Sequence, residues 1–297
     1  MNAARLPDLT ASYSISVQQA AEFRRQGHIL LRGVASPEEA AAYRSVILAA
    51  RERFGAERTP LNQRDTYGKA FLKGMNLWPK DEGVRRFVLA RRFGGIAAEL
   101  LGVEGVRIYH DQALLKEPGG GITPWHQDQH YWPLDTDDTI TMWMALTDVT
   151  PEMGTMRFAS GSHRDGYLGD MPIGDDSDRK FAEYIQSGGY GIAHPATMNA
   201  GDATFHYGWT LHGAPANDTA RTREAMTVIW YADGARVKEP DNVNRRRDLD
   251  RWLPGLKPGD VAATELNPLV CGAGRGPAPP LSTGLLRSAV PSTGHRV

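Results

Sequence analysis

Cysteine is nearly absent from the 297 residues: Cys271 stands alone. That excludes an internal disulfide and any cysteine-rich zinc or iron–sulfur centre, so a metal site here must be built from histidine and carboxylate. Long hydrophobic runs are absent as well. No stretch approaches the roughly 20 apolar residues that span a bilayer, and the opening MNAARLPDLTASYS carries no apolar core of the signal-peptide kind, which predicts a cytoplasmic protein without a membrane partner. Charge of one sign is also lacking. The formal net charge is −1 and Lys and Arg are scattered, so no basic face is available to neutralise a phosphate backbone and nucleic acid is not an expected partner. Nothing in the sequence speaks to oligomeric state.

Hydrophobic residues make up 41% of the chain and charged residues 23%, a balance that supports a folded core and argues against disorder. The first third reads as helical. Ser16 with Gln19 three residues later, and Gly27 at the end, frame a helix from Ser16 to Gln26. His28-Ile-Leu-Leu-Arg-Gly follows as a short strand, and Ser36-Pro-Glu-Glu opens a second helix that runs to about Phe54. A third helix is expected over roughly Asp81 to Leu101. From Val106 the texture changes to short apolar or alternating runs: Val106–Lys116, Thr139–Asp148, Thr155–Ala159, Ala203–Tyr207 and Ala225–Ala232. The helices that parallel crossovers need are missing between them, so an antiparallel sandwich or jelly roll is favoured over a parallel α/β sheet. The expected fold is mainly β with flanking helices, as one domain over residues 1–270. Residues 164–195 form a long, polar, glycine-rich insertion expected to act as a lid, with a helical turn at Phe181–Gln186. From about Cys271 the chain reads as a flexible tail, 271–297.

The chemistry is concentrated in Trp125-His126-Gln127-Asp128. In an extended segment, residues two apart face the same side, so His126 and Asp128 can present an imidazole and a carboxylate to one point. Such a pair is common by chance, and its context must carry the argument. A distant histidine would complete two nitrogens and one carboxylate on one face of an octahedral metal, leaving positions open for substrate, water or O₂. The segment Gly201–Gly213 offers His206 and His212. Arg223 follows in another strand-like run, and Arg221 is its neighbour on the same side. A 2-oxoglutarate bound through its 1-carboxylate and 2-oxo oxygen would leave its far carboxylate buried, where a guanidinium fork is the natural partner.

Four stretches, Trp125-His-Gln-Asp-Gln-His-Tyr-Trp-Pro, Trp143-Met-Ala-Leu-Thr-Asp-Val-Thr-Pro-Glu-Met-Gly-Thr-Met, Gly161-Ser-His and Leu211-His-Gly with Arg223, together resemble the phytanoyl-CoA dioxygenase family. The resemblance extends over roughly residues 15–240. It implies a double-stranded β-helix of cupin-like jelly-roll form, iron(II) held by His126, Asp128 and His212, and a salt bridge from Arg223 to 2-oxoglutarate. By the same resemblance Gln112, Trp143 and Lys73 help to hold the co-substrate, with Lys69 as the alternative lysine. Ser160 stands where the family often has proline, a departure confined to a turn. The implied activity is a dioxygenase that hydroxylates or otherwise oxidatively tailors a small organic molecule, such as a natural-product intermediate. Asp128 disfavours halogenation, because related halogenases lack that carboxylate. Two other readings use the same residues: a hydrolase or isomerase using the ligands for another divalent ion, which Arg223 argues against, and a non-catalytic small-molecule-binding jelly roll. His110, His130 and His163 read as structural histidines. Trp125, Tyr131, Trp132 and Trp209 are candidates either for an aromatic substrate mouth or for core packing.

Overall fold

The computed structural model describes residues 6–55 and 59–271. The tail predicted after Cys271 therefore lies outside the described residues. Helix α1 (Val17–Gln26) and helix α2 (Pro37–Phe54) begin in capping boxes at Ser16/Gln19 and Ser36/Glu39, as the sequence predicts. Gly27 ends α1 with φ +81°, a left-handed turn that costs glycine little. Strand β1 (His28–Leu31) follows directly. The single helix expected over 81–101 is instead two, α4 (Glu82–Val88) and α5 (Arg91–Leu101), with the shorter α3 (Thr66–Ala70) preceding them. The break at Leu89-Ala90 has a packing reason. On one continuous helix Phe87 and Phe93 would point in divergent directions, whereas the break lets both bury fully, with ring centroids 4.9 Å apart.

The larger sheet has seven strands in the order β1-β8-β5-β10-β3-β11, with β2 also paired to β3. Its members are β1, β2 (Leu72–Met75), β3 (Val106–Lys116), β5 (Thr139–Ala145), β8 (Ala203–Tyr207), β10 (Arg223–Ala232) and β11 (Leu269–Cys271). The smaller sheet, ordered β4-β9-β6-β7, comprises β4 (Thr123–His126), β6 (Arg157–Ala159), β7 (Ile192–Ala193) and β9 (His212–Ala214). Every pairing within these sheets is antiparallel. The fold is a double-stranded β-helix, the jelly roll expected from the sequence. One face of the larger sheet buries Met142, Met144, Phe205, Met226, Val228 and Trp230 against the N-terminal helices. Burying each such side chain contributes roughly 1.5–3 kcal/mol, enough in aggregate to make this layer the rigid floor beneath the site. The other face turns toward the smaller sheet and lines the cavity described below. Helix α6 (Asp175–Ser187) lies within the 164–195 insertion and packs on β4, longer than the helical turn predicted there. A final helix, α7 (Val243–Trp252), closes one end. Among the described residues, no helix is long and apolar enough to cross a membrane.

Candidate active site

Strand register arranges the cavity-facing residues of the larger sheet in rows. Lys116 pairs with Arg223, and next come Leu114, Ala225 and Ala145. A third row runs Gln112–Thr227–Trp143–Thr204–Leu30, and a fourth His110–Ile229–Thr141–His206–His28. Because alternate residues share a face, these rows are successive levels of one wall. Members of each row, among them Arg223, Leu114, Trp143 and Thr141, border a cavity of about 340 Å³ that lies between the two sheets, large enough for a small ligand.

The smaller sheet supplies two imidazoles from directly opposite positions, His126 on β4 and His212 on β9. Opposed residues in an antiparallel pair project to the same side, and the two rings stand with centroids 4.1 Å apart. Gly213 allows this approach: a β-carbon there would lie 2.7 Å from the Thr123 carbonyl oxygen on β4. In both histidines Nδ1 meets a carbonyl two residues back, Pro124 at 2.8 Å for His126 and Thr210 at 2.9 Å for His212. A carbonyl can only accept, so Nδ1 carries the proton and Nε2 presents a bare lone pair. Burial, then the charges of His126 and His206, hold His212 well below the usual imidazole range and therefore neutral.

Asp128 does not share the strand with His126. Gln127 continues the extended backbone, and Asp128 opens a 3₁₀ turn, Asp128–His130. Its Oδ2 accepts from the Thr141 hydroxyl at 2.9 Å and lies 3.3 Å from His206 Nε2, while Oδ1 faces His126 Nε2 at 3.5 Å and His212 Nε2 at 3.7 Å. Burial alone would raise this carboxyl. His212, His126 and His206 outweigh it and hold Asp128 well below the carboxylate range, so it is ionised. One ligand atom from each of His126, Asp128 and His212 lies within 4.8 Å of the others. Two imidazole nitrogens and one anionic oxygen, with the remaining directions open to the cavity, is a donor set suited to a divalent first-row metal. His206, the rival ligand, contacts the oxygen of Asp128 that faces away from this group, and so buttresses it.

Arg223 is 1% exposed. Its Nη1 donates to the Gly154 carbonyl at 2.6 Å and its guanidinium lies 5.1 Å from the Trp143 ring centroid, while Nε and Nη2 are buried without a partner. The Trp143 indole N–H is likewise unpartnered. Burial lowers the Arg223 guanidinium to about 9, still a cation at neutral pH. A buried cation with unspent donors at the closed end of a cavity fits a carboxylate. Gln112 and Lys73 line the same cavity, with the Lys73 ammonium 3.5 Å from the Tyr67 ring centroid. Lys69 and Arg221 do not line it; Arg221 is exposed.

A sequence model of the family described as phytanoyl-CoA dioxygenase matches residues 23–225, two-thirds of the chain. The chain belongs to the phytanoyl-CoA dioxygenase family. Methylphosphonate hydroxylase of Gimesia maris is 27% identical over 150 residues, covering 50% of this chain and 54% of that protein. For two such curated relatives, then, the chain spans about half their length, 54% and 46%. Two crystal structures match far more fully. The non-haem α-ketoglutarate-dependent carbocyclase SnoK from nogalamycin biosynthesis is 28% identical with a TM-score of 0.71, over 86% of this chain and 96% of that one. The epimerase SnoN, in complex with Fe³⁺, α-ketoglutarate and nogalamycin RO, is 27% identical with a TM-score of 0.69, over 85% and 97%.

This member of the phytanoyl-CoA dioxygenase family carries site residues that sequence reasoning passed over. Thr141 was legible in principle, as a polar residue between Ile140 and Met142 on a strand of period two. Helix α7 sends Asn244, Arg247, Asp248 and Arg251 to the cavity, and its signal was faint: the Asn242 cap and the spacing of Leu249 and Trp252. Of the four aromatic candidates, Tyr131 and Trp132 line the cavity. Trp125 packs beneath Phe181 and Ile185 of α6, and Trp209 donates to Asp137 at 2.6 Å. His163 is structural as expected, bonded to the Arg24 carbonyl, whereas His110 lines the cavity.

Proposed function

We propose that this protein is an iron(II)- and 2-oxoglutarate-dependent dioxygenase that oxidises a small organic molecule, with His126, Asp128 and His212 as metal ligands and Arg223 as the anchor of the co-substrate. The observation that carries this reading is the pairing, in one cavity, of a His–Asp–His donor set with a buried arginine whose Nε and Nη2 have no protein partner. A metal hydrolase would have no use for that arginine.

Bound iron and 2-oxoglutarate would supply oxidation of a substrate C–H bond by O₂, with the co-substrate decarboxylated to succinate. The protein's part is binding, orientation and exclusion of water. His126 and His212 offer lone pairs that their carbonyl partners keep aimed, and Thr141 and His206 fix the carboxylate between them. Gln112, Trp143 and Lys73 are assigned to the walls around the co-substrate. Asp128 fills the position a halide would need, so hydroxylation or another tailoring oxidation is the assigned outcome. Natural-product intermediates are the proposed substrate class, consistent with SnoK and SnoN.

Residues 1–270 are taken as one oxygenase domain, with 164–195 as its lid. The lid's attachment favours this: the Gln127 amide, beside both ligands, donates to the Gly166 carbonyl at 2.7 Å, and Ile173 N–H donates to the Tyr131 hydroxyl at 2.7 Å. A cytoplasmic setting, where 2-oxoglutarate is abundant and Cys271 would stay reduced, completes the reading.

The test is succinate release and O₂ consumption by purified protein with iron(II), ascorbate and 2-oxoglutarate. Turnover should vanish in His126→Ala, and the requirement for 2-oxoglutarate should rise at least tenfold in Arg223→Gln. Iron binding without 2-oxoglutarate binding would return the protein to the hydrolase reading.

A further inference from the structure

The row order gives the cavity a direction. Arg223 marks the closed end, the His–Asp–His group stands near the level of Thr141 and His206, and His110 lies on that same fourth row at the far side of the wall. Beyond it comes α7. Trp252 places its ring 4.8 Å from His110, and Asp248 accepts from the Tyr109 hydroxyl at 3.1 Å. Helix α7 is thus the wall at the end of the cavity opposite Arg223, where a substrate would enter.

Four arginines sit on this helix, and they divide by employment. Arg245 is buried and bonded to Asp241 at 2.7 Å, and Arg246 reaches the Pro240 carbonyl at 3.4 Å and Glu239 at 4.0 Å. Arg247 and Arg251 differ. They stand one turn apart on one face, line the cavity while remaining exposed, and make no hydrogen bond or ion pair among the described residues. The Arg251 guanidinium rests 4.4 Å from the Trp252 ring centroid, which holds it at the mouth without using its N–H donors.

Charge balance sharpens the point, and here the argument rests on the oxygenase reading above. A metal dication, the Asp128 carboxylate, dianionic 2-oxoglutarate and the Arg223 guanidinium cancel one another. Of the charged lining residues still to be counted, Lys73 stands over the Tyr67 ring, while Arg247 and Arg251 are opposed only by Asp248, which burial pushes up to about 7 and so leaves partly neutral. An excess of unspent guanidinium at the open end of the cavity favours an anion there.

We infer that α7 is the substrate-selecting element and that the substrate is a small organic anion, its carboxylate or phosphate held by Arg247 and Arg251 while its apolar body passes Trp252 and His110 toward the metal group. Calorimetric titration of the full-length protein tests this, with iron(II) and saturating 2-oxoglutarate under anaerobic conditions so that the Arg223 end is filled. The probes are phenylphosphate, benzoate and neutral benzyl alcohol. We expect one or both anions to bind, benzyl alcohol to bind at least tenfold more weakly, and Arg247→Gln/Arg251→Gln to weaken the anion at least tenfold with 2-oxoglutarate binding unchanged. Arg246→Gln, on the same helix but away from the cavity, should leave both affinities as in the wild type. Stronger binding of phenylphosphate or of benzoate tells phosphate from carboxylate. Failure of both anions to bind, equal binding of benzyl alcohol, or an affinity indifferent to the double substitution would overturn the inference. Loss of 2-oxoglutarate binding in the wild type, with an anion still held through Arg247 and Arg251, would instead overturn the oxygenase reading and leave the anion site standing.

Discussion

Arg223 illustrates how a residue that is costly for the fold can be matched to a proposed role in binding. Its buried Nε and Nη2 have no partner, and an unsatisfied buried donor costs about 1–3 kcal/mol. Arg223→Met should therefore raise the melting temperature of the ligand-free protein by roughly 2–6 °C while abolishing the stabilisation that added 2-oxoglutarate gives the wild type. A variant that melts lower, or one still stabilised by 2-oxoglutarate, would remove Arg223 from the proposed role. Thr141 acts more quietly, through the Asp128 oxygen it holds at 2.9 Å. Thr141→Val keeps the shape and removes the donor, and metal affinity should fall about 10–100-fold, measured as competition against a chromophoric chelator. The proposed ligand pair His126 and Asp128 was legible because two chelating side chains within three residues leave a local trace. Thr141 and the choice between His206 and His212 depend on which strands become neighbours. That information lies in the register of β5 with β8 and of β4 with β9, which no short window of sequence contains.

Among the elements, those with local punctuation were legible and those without it were not. Helices α1 and α2 announce themselves by Ser caps and paired side chains at the third position, and both start where predicted. Ser36→Ala should accordingly cost about 1 kcal/mol and lower the melting temperature by roughly 2–4 °C, with 2-oxoglutarate affinity unchanged because α2 does not border the cavity. A loss of co-substrate affinity as large as the loss of stability would mean that α2 is coupled to the site. Strands β3 and β8 match their predicted limits, most of their residues being buried. Strand β2, four residues containing Lys73 and Gly74, had no pattern to read and is fixed by its pairing to β3. The split between α4 and α5 is of the same kind: tertiary packing of Phe87 and Phe93 overrides a sequence that is helical throughout. Helix α7 was missed because its residues are mostly charged, and its orientation follows from Leu249 and Trp252 docking against the larger sheet's end.

At the scale of the whole molecule the two sheets must be held at a fixed spacing, and one clasp between them titrates. His28 on β1, at the edge of the larger sheet, meets the Ser160 hydroxyl through Nε2 at 2.9 Å and stacks on Phe158 of β6 with centroids 4.7 Å apart. Burial, then the charges of His206 and His163, lower this imidazole to about 4. In the unfolded chain its value returns to about 6.5, so between those limits the unfolded state binds a proton that the folded state refuses. Stability from His28 is therefore complete above about 6.5 and is lost as pH falls toward 4, at about 1.4 kcal/mol per pH unit inside that window. Asp111 and Asp248 work in the opposite direction. Burial raises each to about 7, so the folded state keeps a carboxyl proton that the unfolded chain gives up, and acidification from 7 favours folding through these two. The opposed slopes partly hide one another in the wild-type curve, and the difference between wild type and His28→Gln isolates the clasp. Glutamine keeps a hydrogen bond to Ser160 within reach and does not titrate. Urea midpoints measured from pH 8 to pH 4.5 should show a constant gap between the two proteins above pH 7 and a narrowing gap below about 6.5, as the wild type loses what the variant never had. Parallel curves over the whole range would mean that His28 is protonated, or accessible to protonation, at no cost in the folded state, and the junction between the sheets would then have to be held by its apolar contacts alone.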